Sequence, residues 1–170
     1  MLTPNEQEQE RLEQERVRLL SDGLLLDNAV AFVECFEDWA RISDAQLNGL
    51  LNFSRAGLDE LQKFVKHQAD RDWEKSEEGG SAEGGTGDRH RSKAQVHQEF
   101  YKKLTTQLTQ IRSLAKDEAI IPPGATSAQE KKHLSEMGAA LAAEFVQHLV
   151  AEMLYRKALE RRPRPGVTEG

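Results

Sequence analysis

Four short segments of the chain share the signature of a helix start, and apolar residues at helical spacing follow each one. A Ser or Thr hydroxyl can accept from the amides of the first turn, while a Glu or Gln three residues later reaches back to the cap. The segments are Thr3-Pro4-Asn5-Glu6, Ser43-Asp44-Ala45-Gln46, Ser92-Lys93-Ala94-Gln95 and Ser127-Ala128-Gln129-Glu130. No segment alternates apolar and polar residues as a strand would. The sequence therefore predicts an all-α fold, a bundle of four to six helices.

Helical spacing predicts four regions, at about 4–40, 44–75, 93–118 and 128–162. Gly23 and Gly57 each lie inside a region and could divide it into two helices. The opening part, Glu6 to Arg18, is charged almost all round, so we expect it to project into solvent or to fray. The positions expected to face the core in the first and second regions are Leu26, Val30, Val33 and Phe36, and then Leu47, Leu50, Leu51, Ser54, Leu58, Leu61, Val65 and Trp73. In the third region they are Val96, Phe100, Leu104, Leu108 and Ile111. In the fourth region they are Leu134, Met137, Leu141, Phe145, Leu149 and Met153.

The length of 170 residues suits one helical domain over 1–170. Residues 76–92 contain five of the twelve glycines and no large apolar side chain, which predicts a flexible loop. Residues 163–170 contain Pro163 and Pro165 and are expected to form a disordered tail.

Composition excludes several classes of protein. No apolar run approaches the roughly 20 residues of a membrane-spanning helix, and the amino terminus is acidic, unlike a secretory signal. The single cysteine, Cys35, cannot form a disulfide framework, and its place in an apolar stripe predicts a small core residue. We expect a cytoplasmic protein that does not interact with membranes.

The search for catalytic or metal-binding groups finds little. The chain does not present the two Glu-x-x-His motifs that a di-iron bundle needs, nor a Gly-x-Ser-x-Gly elbow. His148 stands four residues from both Glu144 and Glu152 and could share a helix face with them. We expect no catalysis, no metal site and no cofactor.

The polar side of the second region combines amides and cations, which suit contacts to a phosphate backbone. The same face also carries Asp59, Glu60 and Asp70, so the residues by themselves favour an ordinary solvated helix face over a phosphate-binding one. The candidate nucleic-acid-binding residues are Arg41, Asn48, Asn52, Arg55, Lys63, Lys66 and Arg71, with Lys103 and Arg112 extending the surface from the third region.

The net charge of −6 argues against a general nucleic-acid coating protein, but the charge is unevenly distributed. Residues 1–40 hold 10 acidic and 3 basic groups, whereas the rest of the chain holds 19 acidic and 20 basic groups. An acidic first region could contact other subunits while a more basic face meets RNA.

Two segments, Ile42-Ser-Asp-Ala-Gln-Leu-Asn-Gly-Leu-Leu-Asn52 and Leu61-Gln-Lys-Phe-Val-Lys-His-Gln-Ala-Asp-Arg71, resemble the helical small subunit of type III CRISPR–Cas effector complexes. The later stretch from Glu144 to Tyr155 is similar to the closing amphipathic helix of that family. The chain departs from the pattern at Asn48, where the family has an arginine. The resemblance implies a non-catalytic subunit that binds the guide RNA–target backbone, neighbouring subunits and copies of itself in antiviral defence.

The alternative is a helical adaptor or homo-oligomer that binds proteins and no nucleic acid. Small side chains from Gly138 to Ala143 would let another helix approach closely and form its interface. An enzyme with an unrecognised site is a third reading.

Overall fold

The computed structural model describes residues 1–73 and 92–162. Within these ranges the chain forms six α-helices and no strand, which confirms the all-α prediction. The helices are α1 (Pro4–Leu20), α2 (Leu26–Cys35), α3 (Asp44–Arg55), α4 (Leu58–Asp70), α5 (Lys93–Glu118) and α6 (Ser127–Glu160). A π-helical turn, Ser21–Leu25, joins α1 to α2, and a 3-10 turn, Trp39–Arg41, precedes α3. Apart from Ser92, the expected Gly-rich loop lies outside the described residues, as does the expected tail at 163–170.

Reciprocal capping boxes begin four of the helices. Thr3, Ser43 and Ser92 cap α1, α3 and α5 as predicted, each paired with the Glu or Gln three residues on. The fourth cap is Thr126 with Gln129, so the prediction of Ser127 was wrong by one residue. The chain turns at Gly124, which has φ 77°, and the turn is closed by the hydrogen bond that the Ala125 amide donates to the Pro122 carbonyl. The next residue, Thr126, has the hydroxyl that caps the helix.

The two internal glycines behave differently. Gly57 has φ 111°, a backbone conformation that other residues rarely adopt, and it separates α3 from α4. The second region, expected at 44–75, is therefore two helices and ends at Asp70. Gly23 lies in the π-helical turn, where the helical path continues from α1 into α2.

α6 is the central helix of the bundle and packs against all five others. Its 34 residues span about 51 Å at 1.5 Å per residue. Phe145 and Phe100 both contact the edge of Phe32, which brings α2, α5 and α6 together in one aromatic core. None of the described helices combines the length and the apolar character needed to cross a bilayer.

α1 follows the surface of the bundle, which corrects the expectation that it would project into solvent or fray. None of its residues is fully buried: Val17 and Leu20 pack partly buried against the core, and polar contacts attach the earlier turns. Gln9 Nε2 donates to the Ile120 carbonyl, Arg16 pairs with Glu118, and Glu13 meets His133. Gln9, Glu13 and Arg16 all belong to the segment from Glu6 to Arg18 that was expected to project into solvent or to fray.

Most core-facing positions are confirmed for α3 to α6, where Leu51 and Leu134 are only half-buried, but the first region is confirmed only in part. Leu47, Leu50, Leu58, Leu61 and Val65 are buried as expected. In the first region the buried residues are Leu25, Ala29, Phe32, Val33 and Phe36, whereas Leu26 is exposed. Cys35 is also exposed, so its assignment to the core was wrong. Cys35 lies about 200° round the helix from Val33, so burial of Val33 turns the Cys35 side chain outward.

The small residues of α6 serve contacts inside the chain. A Cβ added at Gly138 would lie 3.0 Å from Leu58 Cδ2 and 3.8 Å from Ala115 Cβ. Gly138 and Ala142 are both buried. This stretch therefore allows α4 and α5 to approach α6 closely.

Candidate functional site

A row of polar side chains runs along the exposed side of α3. Leu47, Leu50 and Ser54 are buried on the opposite side and hold the helix against the core. Asn48, Asn52 and Arg55 are exposed, and at about 100° per residue they fall within a sector of about 60°. The row presents two amides and one guanidinium to solvent.

A second row lies on α4, where Lys63 and Lys66 are exposed on the side away from Leu61 and Val65. Lys63 Nζ lies 2.8 Å from Glu60 Oε1, and this pair raises the pKa of Lys63. Lys66, like Arg55 on α3, makes no ion pair within the part of the chain that the structure describes. Among the described cations of α3 and α4, these two are therefore open to an anionic ligand.

Phe53 and Phe64 stack where α3 and α4 meet at the surface. Their ring centroids are 4.3 Å apart with an interplanar angle of 11°, and Phe53 is 40% exposed. Gly49 lies close to the pair, since a Cβ there would lie 3.4 Å from Phe64 Cζ, in van der Waals contact. At about 100° per residue, Phe53 lies about 100° round α3 from Asn52, so its partly exposed ring adds an apolar surface at the α3–α4 contact and not within the amide row.

Two predicted arginines bracket this hairpin. Arg41 ends the 3-10 turn before α3 and is exposed. Arg71 follows α4, and its guanidinium carbon lies 4.5 Å from the centroid of the buried Trp73 ring. Trp73 is oriented in turn by the hydrogen bond that its Nε1 donates to the Gln68 carbonyl, 2.9 Å away.

The last two predicted residues, Lys103 and Arg112, do not form a common surface on α5. Nine residues separate them, which places them on opposite sides of the helix. Lys103 Nζ donates to the Cys35 carbonyl at 3.1 Å, whereas Arg112 pairs with Asp59 and Gln62 on α4. Both side chains are engaged in contacts between helices.

A groove between α1 and α6 is the feature that the sequence analysis missed. We call it the α1–α6 groove; its volume is about 450 Å³. Acidic side chains dominate its polar lining, with Arg18 as the one cation along it. The lining residues are Glu10, Glu13, Gln14, Val17, Arg18, Ser21, Asp22, Glu136, Met137, Ala140 and Glu144.

Ser21, in the π-helical turn, forms a buried polar network at one end of the groove. Its Oγ lies 2.7 Å from Glu144 Oε2 and 2.8 Å from His148 Nε2. Glu144 and His148 thus share a helix face, as their spacing suggested. A hydroxyl has one hydrogen, so if it donates to the carboxylate, the imidazole must donate to Oγ. That direction ties α6 to the turn and is the reverse of the one that activates a serine nucleophile.

Three possible metal ligands converge at the other end of the groove. His133 and Glu136 stand three residues apart on α6, and Glu13 reaches them from α1. Each of the three offers one ligand atom, and these atoms all lie within 4.8 Å of one another. Neither helix signals this site alone, because its ligands are 120 residues apart in the sequence.

Tyr101, on α5, lies in a buried aromatic cluster with Phe64, Trp73 and Phe100. Burial raises its pKa to about 12, so its hydroxyl stays protonated at neutral pH. Its Oη is buried and makes no hydrogen bond to the described residues. Tyr101 therefore contributes packing, with Phe64 at 6.4 Å and Trp73 at 6.1 Å between ring centroids.

The chain matches no protein-family model and no curated protein, and its structure matches no solved structure.

Proposed function

We propose that the protein is a cytoplasmic, non-catalytic helical subunit whose α3–α4 hairpin binds the backbone of an RNA strand. The observation that carries this proposal is the exposed row Asn48, Asn52 and Arg55 on α3, in the same hairpin as the partly exposed Phe53 ring. Amides and guanidinium groups donate to phosphate and sugar oxygens, while an exposed aromatic ring stacks on an unpaired base. The row holds its donors at fixed separations because its helix is capped and packed.

The α3–α4 hairpin has few unpaired cations, which favours a weak contact with RNA over strong electrostatic binding. Glu60 neutralises Lys63, and Asp59 neutralises Arg112. Arg55 and Lys66 remain as the cations that can release counterions from RNA. With so few phosphates contacted per chain, useful affinity requires several copies aligned along one strand.

This need for several copies agrees with the resemblance to the small subunit of type III CRISPR–Cas effector complexes. In that setting, copies of the chain would stack along the guide RNA–target duplex and contact neighbouring subunits, and other subunits would cleave. Arg41 and Arg71, at the two ends of the hairpin, extend the proposed contact.

The adaptor alternative loses the surface on which it was based. Gly138 is buried against Leu58 of α4 and Ala115 of α5, Ala142 is also buried, and Ala140 lines the α1–α6 groove. We therefore do not propose the small residues of α6 as a docking face.

The test is fluorescence anisotropy with a short labelled RNA of mixed sequence, both single-stranded and paired with its complement. The full chain is titrated from about 50 to 200 mM salt, over which phosphate contacts weaken steeply. The variant Arg55→Glu with Lys66→Glu removes both unpaired cations. We expect weaker binding and, for the single strand, a salt slope reduced by about 1.4, which corresponds to two phosphates at about 0.7 each.

A matched control separates the contact from the overall charge. Lys116→Glu with Lys131→Glu changes the net charge equally, and both lysines are exposed outside the hairpin. The control should bind RNA nearly as the parent does. If the two double variants bind alike, or the parent binds no RNA at low salt, the proposed interface is wrong.

A further inference from the structure

We infer that Glu13, His133 and Glu136 form a binding site for one divalent transition-metal ion, Zn²⁺, that fastens α1 to α6. The inference is independent of RNA binding, since it concerns the α1–α6 groove and not the α3–α4 hairpin. It begins from how α1 is held: only Val17 and Leu20, near the end of the helix, pack partly buried against the core, so the earlier turns depend on polar side-chain contacts.

The three side chains form a mixed ligand set. His133 and Glu13 are largely shielded, with side-chain exposures of 20% and 16%, while Glu136 is 53% exposed at the mouth. Two ligands three residues apart lie on one face of α6, and the third comes from the facing helix. This arrangement is the usual way in which a helical bundle builds a metal site from facing helices.

The distances require only small adjustments for an ion to enter. His133 Nδ1 lies 2.8 Å from Glu13 Oε1, and all three offered atoms lie within 4.8 Å of one another. Tetrahedral Zn²⁺ with bonds of about 2.0–2.2 Å separates its ligands by about 3.3–3.6 Å. The side chains therefore need to shift by about 1 Å or less, and water entering from the groove completes the coordination.

Neighbouring groups fit this role. Gln9 Nε2 donates to Glu13 Oε1 at 3.1 Å and also to the Ile120 carbonyl, which orients the carboxylate as outer partners of metal ligands do. Lys132 is the competing cation, but its Nζ lies 3.8 Å from Glu136 and it is well exposed. An ion bound by two carboxylates outweighs so distant and solvated a partner.

The imidazole decides which ion is expected. Mg²⁺ and Ca²⁺ prefer oxygen ligands in larger number, whereas Zn²⁺ accepts one nitrogen with two carboxylates. The other acidic side chains of the groove would attract any cation weakly. Selective binding of Zn²⁺ over Ca²⁺ therefore distinguishes a built site from general attraction to an acidic groove.

The experiment titrates Zn²⁺ into the full, metal-free chain, which carries no histidine tag, and measures the heat of binding by calorimetry. The Tm of thermal unfolding is then measured with and without Zn²⁺. We expect one Zn²⁺ per chain, a higher Tm, and slower amide exchange in α1. His133→Ala should abolish these effects and Glu136→Gln should weaken binding at least tenfold. His67→Ala, which removes an exposed imidazole on α4, should change nothing.

Three results would overturn the inference. They are the absence of stoichiometric Zn²⁺ binding to the parent, equal binding by the His133→Ala variant, and equal competition by Ca²⁺ at the same concentration. Since neither variant alters a core residue, circular dichroism of each apo variant should match the parent. Loss of RNA binding in the earlier assay would leave this result untouched.

Discussion

Replacing Lys157 by Met should destabilise the protein by about 1–3 kcal/mol, because it leaves a buried carbonyl without its donor. Lys157 lies near the end of α6 and is 9% exposed. Its Nζ donates to the Ile42 carbonyl and, at 3.0 Å, to Asp44 Oδ1. One ammonium thus joins the end of α6 to the start of α3, where the proposed RNA-binding hairpin begins.

The magnitude comes mainly from the Ile42 carbonyl. Met keeps the unbranched stem and its packing but cannot donate, so the carbonyl loses a charge-assisted hydrogen bond in a buried setting. The carboxylate of Asp44 is 58% exposed, and water replaces the ammonium there. For a chain of this size, about 2 kcal/mol corresponds to a fall in Tm of about 4–8 °C.

Urea unfolding followed by circular dichroism measures the effect, with an unchanged m-value as the sign that the unfolded states are comparable. Lys131→Met is the matched control, since Lys131 is an exposed lysine on the same helix. Its midpoint should stay within about 0.5 kcal/mol of the parent. A Lys157→Met midpoint equal to that of the control would refute the stabilising role of the Ile42 bond.

Three further outcomes are expected. Phe145→Ala should cost about 3–5 kcal/mol in urea unfolding, because the ring is completely buried against Phe32 and the cavity cannot close. Thr126→Ala should cost about 1 kcal/mol by the same measurement, while Ser127→Ala should be nearly neutral if Thr126 is the cap. Lys157 lowers the pKa of Asp44 from its ordinary 3.8, chiefly by a hydrogen bond and then by its charge. The stabilisation that the Asp44–Lys157 pair contributes is present above pH 3.8 and is lost as the pH falls through the lowered pKa of Asp44 in the folded protein. The difference in free energy of unfolding between the parent and Lys157→Met should therefore narrow on acidification.

Much of the fold was predictable because helices are encoded by nearby residues. Three of the four caps and the buried faces of α3 to α6 follow from spacing alone. The prediction was wrong where two local solutions compete. Thr126 and Ser127 each have a hydroxyl and a Gln or Glu three residues later. In the structure the turn at Gly124 places Thr126 at the cap position.

The candidate site, like the fold, could be predicted from the sequence only in part. Exposure of Asn48, Asn52, Arg55 and Lys66 could be read from the sequence, since polar residues at helical spacing turn away from an apolar stripe. The stacking of Phe53 on Phe64 could not, because helical spacing does not say which side chains meet across a turn.

The sequence by itself determined that the chain is helical, where most helices begin, and which side of most of them faces inward. These properties depend on residues within one or two turns of each other. Tertiary structure alone decided that acidic α1 lies along α6, and that Glu13 meets His133 across 120 residues. It also gave Lys103 the Cys35 carbonyl and Arg112 the Asp59 carboxylate as partners, and it enclosed Gly138 against Leu58. The physical reason is that contacts between helices depend on the direction in which each one packs, which spacing along a single helix does not record.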